Sequence, residues 1–196
     1  MSRGTGFDFW DMLGYNFPRV IIMQHEIKEQ CARQIRDFRL PRYHEIPNVG
    51  LYLDQVAKYI SEYLAPLGES PLTPSMISNY VKKHLIESPV KKQYSRDQIA
   101  YLFFIAVAKS ILSLVALGNF IQVQKQSYPL PVAYDYFCRQ LEGMLQFTFE
   151  LTDTMDVVGE DVSDEKRLFF SCIAAVAQKI YLEKTLEAIA EAQKQA

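Results

Sequence analysis

LTPSMISNYVKKHLIESPVKKQYSRDQIAYL, residues 72–102, decides how the rest of the chain is read. Thr73 is a strong N-cap, and Pro74 occupies a first helical position, where a missing N–H costs nothing. Ile77 and Val81 share a face of the helix that follows, with Met76 and Tyr80 beside them. Ser75, Ser78, Asn79, Lys82 and Lys83 are left for the wetter side. Leu85 and Ile86 turn back toward a core, and Pro89 forbids further helix. Val90 to Tyr94 is then expected to be short, extended and basic. Ser95 with Gln98 three residues on is a capping box that opens the next helix. Helix, tight basic turn, helix is the plan on which small DNA-reading modules are built.

Charge separates this stretch from its surroundings. Pro74 to Arg96 holds five Lys/Arg and one Glu, a local charge of +4 in a chain of net charge −2, which leaves −6 for the remainder. An acidic protein of this kind does not coat nucleic acid, but it can carry one basic face.

At 196 residues, with 49% hydrophobic side chains and twelve each of Phe and Tyr, the chain has ample material for a core. Eight glycines and long periodic apolar runs favour helices over a strand-rich fold. Cys31, Cys138 and Cys172 fit no metal or redox spacing, so buried core thiols in a reducing cytosol are expected. His25, His44 and His84 are scattered, and no protein-built metal site or cofactor is implied. Asp8 and Asp11 interrupt the apolar core that a signal peptide needs. Ile99 to Leu117 has membrane length at 19 residues, but Lys109 near its middle would cost roughly 2.5–3.5 kcal/mol in a bilayer. A buried core helix in a cytoplasmic protein is the expectation.

Three segments follow from the punctuation: residues 1–39, 40–128 and 129–196. Residues 1–22 read as an aromatic arm without a long period, and Met23 is an alternative start. Gln24 to Phe38 predicts a helix with a narrow stripe of Ile27, Cys31, Ile35 and Phe38, suited to docking on one partner surface and not to burial all round. Leu40 to Pro47 is a connector bracketed by prolines. A helix is expected from about Leu51 to Leu64, ended by Pro66 and Gly68, and the motif's last helix should run to Leu117 and break at Gly118. Beyond Pro129-Leu130-Pro131, Ala133 to Leu151 carries Tyr134, Phe137, Leu141, Met144, Leu145, Thr148 and Leu151 at helical spacing. Ser163, followed by Asp164 and Glu165, should cap a final helix reaching about Ala190.

Thr73 to Ile86, TPSMISNYVKKHLI, resembles the recognition helix of MerR-type winged helix-turn-helix regulators, with Thr73, Ile77, Tyr80, Leu85 and Ile86 in the family's places. Pro89, Lys91-Lys92 and Tyr94-Ser95 before Asp97-Gln98-Ile99 look like the wing and the start of the next helix. Ser110 to Leu114 resembles the short link into a further helix that would hold Leu117 to Ile121. The resemblance implies a DNA-binding domain followed by a dimerisation or effector region. The chain departs from it at Ser75 and Ser78, where regulators usually carry arginines, and at His84, which replaces a glycine. The wing is also shorter. Leu40 to Ile121 as a whole is similar to an uncharacterised family of low-GC Gram-positive bacteria, the domain-of-unknown-function family numbered eighteen thirty-six. That family brings no activity with it.

The expected fold is therefore all-α, a MerR-like winged helix-turn-helix with additional helices on both sides. The expected function is a transcriptional regulator contacting double-stranded DNA through the 74–84 helix and the 89–96 wing. Lys82, Lys83, Lys91, Lys92 and Arg96 would meet phosphates, with a salt slope of roughly −4 in log K against log salt. Asn79 is the best base reader, because an amide can bond adenine N6 and N7 together. Ser75, Ser78 and Tyr94 complete the candidate set, although packing is the commoner task for Tyr80 and Tyr94. A regulatory adaptor without DNA contact is the alternative. Catalysis is not expected, since the carboxylates of 152–156 and 160–161 have no His partner or phosphate loop. Phe137, Leu141, Met144, Phe147, Phe149, Phe169 and Phe170 are candidates to line an effector pocket or a homodimer seam, or simply to cover the core.

Overall fold

The computed structural model describes residues 25–68, 70–154 and 163–195. The aromatic arm, the alternative start at Met23 and the acidic run Gly159-Glu160-Asp161 lie outside them. Seven helices and one two-stranded sheet make up the described residues, so the class is all-α. In chain order they are α1 (His25–Arg36), β1 (Leu51–Tyr52), α2 (Leu53–Leu64), α3 (Pro74–Lys82), β2 (Gln93–Tyr94), α4 (Arg96–Ala108), α5 (Leu114–Ser127), α6 (Leu130–Thr148) and α7 (Asp164–Gln195).

The local start signals act as their chemistry predicts. Thr73 Oγ1 accepts from Met76 N at 3.2 Å. Ser95 N donates to Gln98 Oε1 at 2.7 Å while Ser95 Oγ accepts from Gln98 N at 3.4 Å, completing the capping box. Ser163 Oγ accepts from Lys166 N at 3.4 Å and begins α7.

Four expectations are corrected. Leu51 and Tyr52 do not open a helix: they form β1 and pair antiparallel with β2, Leu51 opposite Tyr94 and Tyr52 opposite Gln93. The helix starts at Leu53, where Gln55 Oε1 accepts from Tyr52 N at 2.9 Å. The pairing depends on Gly50, since a Cβ there would lie 2.6 Å from Gln93 Cβ. Second, the helix after Ser95 ends at Ala108 instead of Leu117. Ser113 Oγ accepts from Ala116 N at 3.2 Å and starts α5, which runs through Gly118. A capping serine outweighs a continuing apolar period, and the break falls inside the Ser110–Leu114 link.

Third, α6 begins at Leu130, because Pro131 in a first turn is tolerated. It ends at Thr148, with Glu150 in the left-handed region at φ +57°. Fourth, α7 does not stop near Ala190, and its polar end continues as helix to Gln195.

The core is centred on α4. Ile99, Leu102, Phe103 and Ile105 are all fully buried, as expected of a helix that is apolar on every side. Phe104 of α4 stacks on Phe120 of α5 at 4.9 Å between ring centroids and meets Phe137 of α6 edge-on at 5.6 Å. Phe120 in turn lies 5.6 Å from Phe169 of α7, so one aromatic cluster joins four helices. The α1 stripe of Ile27, Cys31, Ile35 and Phe38 is buried in the same core, against α6 and α7. The surface it docks on is the chain's own. All three cysteines are buried, and burial pushes the Cys138 thiol up to about 12 and that of Cys172 to about 11. Among the described residues no helix is long and apolar enough to cross a membrane.

Candidate nucleic-acid interface

The two faces of α3 separate cleanly. Ile77 and Tyr80 are buried, while Ser75, Ser78, Asn79, Lys82 and Lys83 are exposed on the opposite side. Their spacing at i, i+3, i+4, i+7 and i+8 is that of one helix face. Ser78 Oγ donates to Pro74 O at 2.9 Å, so its hydroxyl hydrogen is committed within its own helix and only its lone pairs face outward. The helix closes on His84, which adopts φ +57° in the position where glycine is usual. Leu85 N then donates to Tyr80 O at 3.0 Å, and Leu85 and Ile86 enter the core.

Within the stretch after Pro89, Val90, Gln93 and Tyr94 are extended as expected, while Lys91 and Lys92 form a turn between them. Gln93 N donates to Val90 O at 2.9 Å, and Lys91 and Lys92 between them adopt φ +50° and +65°. Two consecutive positive φ values are what a two-residue hairpin turn requires, usually met by Asn-Gly. Lys91, Lys92 and Val90 are exposed at the tip. Among the described residues none of Lys82, Lys83, Lys91 and Lys92 pairs with a carboxylate.

Two members of the candidate set lie elsewhere. Tyr94 is only 4% exposed, because its place opposite Leu51 in the sheet turns the ring into the core. Arg96 is half-buried, its Nε donating to Ile46 O at 2.8 Å and its guanidinium 5.4 Å from the centre of the Tyr43 ring. It ties the connector to the start of α4. The outward charge is therefore four lysines, not five cations.

Sequence reasoning missed what braces this surface. Arg42 donates to Glu142 of α6 through both terminal nitrogens, at 2.7 and 2.6 Å, and Leu40 N donates to the same carboxylate at 2.8 Å. Tyr43 N donates to Asp135 Oδ1 at 2.7 Å, and the Tyr43 hydroxyl donates to Asp97 at the start of α4. Burial, reinforced by the Asp97 carboxylate, pushes that hydroxyl up to about 12. The connector thus joins α6 to the residues directly after the basic turn. Its only sequence signal is the proline bracket around Arg42, Tyr43, His44 and Glu45.

Of the candidate pocket residues, Phe137 and Phe169 meet edge-on at 6.2 Å. Phe137, Leu141, Met144 and Phe149 are buried in the core, Phe170 is half-buried, and Phe147 is 44% exposed. Of the seven, only Phe169 borders the large cavity between α5, α6 and α7. In the 152–156 run, Thr152 Oγ1 donates to Thr154 O at 3.1 Å and forms a local turn, while Met155 and Asp156 lie outside the described residues.

Residues 41–137, just under half of the chain, match the family described as Domain of unknown function (DUF1836). The matched segment runs from the connector through α3, the basic turn and α4 into α6. No curated protein and no solved structure matches the chain.

Proposed function

We propose that this chain is a DNA-binding transcriptional regulator of the cytoplasm, with a MerR-like winged helix-turn-helix in which α3 enters a groove and the 89–96 turn grips the backbone. The observation that carries this reading is the pair Lys91 and Lys92. Two long cationic side chains occupy consecutive left-handed positions at an exposed tip, where glycine or asparagine would be cheaper. Backbone strain retained at a charged, unpaired surface points to a function that needs the charge.

The exposed face of α3 supports it. Asn79 stands on that face between Ser75 and Lys82 and has the amide needed to bond an adenine edge. Lys82 and Lys83 at the end of α3, with the two tip lysines, supply four phosphate contacts, which amounts to a salt slope of about −4 per module.

The test is a salt-titrated binding measurement on a duplex from the promoter of the chain's own operon and on bulk DNA. Changing Lys82, Lys83, Lys91 and Lys92 to Ala should weaken both duplexes alike and flatten the slope, because phosphate contacts carry no base information. Asn79→Ala should weaken the promoter duplex selectively. If the wild-type chain binds neither duplex at low salt, the adaptor reading takes its place. The exposed Val90 and the serines at 75 and 78 would then mark a protein-docking surface.

A further inference from the structure

A cavity of about 290 Å³ opens between α5, the first turns of α6 and the start of α7. Its size is close to the lower end of the range of about 300–1,000 Å³ usual for small-molecule sites. The walls are aromatic and aliphatic: Phe120, Val123, Tyr128, Val132, Tyr136 and Phe169. Phe120 and Phe169 are anchored from behind by the aromatic cluster of the core, so this wall is preformed. Tyr136 packs against Phe169 at 5.6 Å and continues it.

Charge at the mouth is uneven. Arg139 and Lys166 line the cavity together with one acid, Glu165. Hydrogen bonding at the start of α7, from its own backbone N–H and from Ser163, holds the Glu165 carboxyl below the ordinary carboxylate range. The Arg139 guanidinium makes no hydrogen bond or ion pair with another described residue. An apolar chamber with one uncommitted guanidinium at its edge recognises a molecule with an apolar body and an anionic end. The flat rings on several walls select a planar body, which can stack or meet them edge-on.

We propose that the cavity between α5, α6 and α7 binds a small aromatic carboxylate, its ring against Phe169 and Tyr136 and its acid group on Arg139. The site goes beyond the regulator reading and holds whether or not the chain binds DNA. It would place a ligand against α6, the helix that also holds the connector through Asp135 and Glu142.

Calorimetric titration of the full chain with naphthalene-2-carboxylate, without DNA, tests the proposal. Saturable binding is expected, with naphthalene-2-carboxamide, the neutral isostere, about tenfold weaker or worse. Arg139→Gln should remove that preference and leave the weak binding of the ring. Val132→Trp should fill the chamber and abolish binding of both compounds. Val132 is 57% exposed, so this change spares the core, and an unaltered thermal midpoint would verify the fold. Absence of binding to the wild-type chain overturns the proposal. So does equal affinity for the two compounds, or full binding by a folded Val132→Trp variant.

Discussion

Lys91 and Lys92 are the residues at which stability and the proposed function part company. A non-glycine residue in the left-handed region costs on the order of 1 kcal/mol, and these two sit there in succession at φ +50° and +65°. Replacing them with the pair that such a turn prefers, Lys91→Asn with Lys92→Gly, should raise the thermal midpoint by about 2–8 °C, at roughly 2–4 °C per kcal/mol for a chain of this length. The same variant should bind duplex more weakly, because two of the four outward lysines are gone. His84→Gly supplies the control, since it relieves a left-handed residue at φ +57° without touching a lysine. It should stabilise the chain and leave the salt slope as it was. A Lys91→Asn, Lys92→Gly chain that binds DNA as well as wild type would remove the tip from the interface.

Among the elements, the connector between α1 and β1 is where the sequence was least legible. Caps at Thr73, Ser95 and Ser163 could be read directly, because a capping side chain and the backbone N–H that donates to it lie within three residues of each other. The outward face of α3 was legible for the same local reason. The strand at Leu51–Tyr52 was not, because its partner is some forty residues away and two residues carry no period. Tyr94 and Arg96 were misplaced in the candidate site because what occupies them, the sheet and Ile46 with Tyr43, is equally non-local. Glu45 shows the connector's chemistry in a measurable way. Arg39 donates to both of its oxygens at 2.8 Å and Arg42 N adds a third bond at 2.6 Å, which holds the carboxyl at about 2 against its usual 4.5. A carboxylate whose folded value is depressed contributes stability above its unfolded value and loses it as pH falls toward the folded one. The thermal midpoint should therefore drop as pH falls from 4.5 to about 2. Glu45→Gln should start less stable at neutral pH and show a smaller drop in that window. An identical acid profile in the two chains would show that these bonds do not contribute to stability. Gly50 gives a second check on the same region: Gly50→Ala should push β2 from β1 and lower the midpoint, because Gln93 leaves no room for a methyl group.

For the whole molecule, the proposed reading leaves four lysines and one amide to contact DNA. A single module of that kind buries too little to find one site in a genome, and regulators of this plan pair two modules across a palindrome. The chain carries a surface suited to such pairing. α7 is 32 residues long, about 48 Å at 1.5 Å per residue. On its outer side Leu168, Ala175 and Leu182 recur every seven residues, and Leu186 lies one turn beyond Leu182. Leu182 is 57% and Leu186 56% exposed, whereas Ile173, Val176 and Ile180 on the inner side are buried in the chain's own core. An apolar heptad seam on the solvent side of a long helix is the geometry of helix pairing between copies. We therefore predict a homodimer joined along α7. Leu182→Glu with Leu186→Glu should give a folded monomer, since neither side chain belongs to the core. That monomer should bind duplex with a salt slope of about −4, against about −7 for a dimer presenting twice the lysines. Sedimentation equilibrium at micromolar concentration, with and without duplex, measures the assembly directly. A wild-type chain that sediments as a 22.6 kDa monomer in both conditions would remove the dimer and, with it, the means by which so small an interface could select an operator.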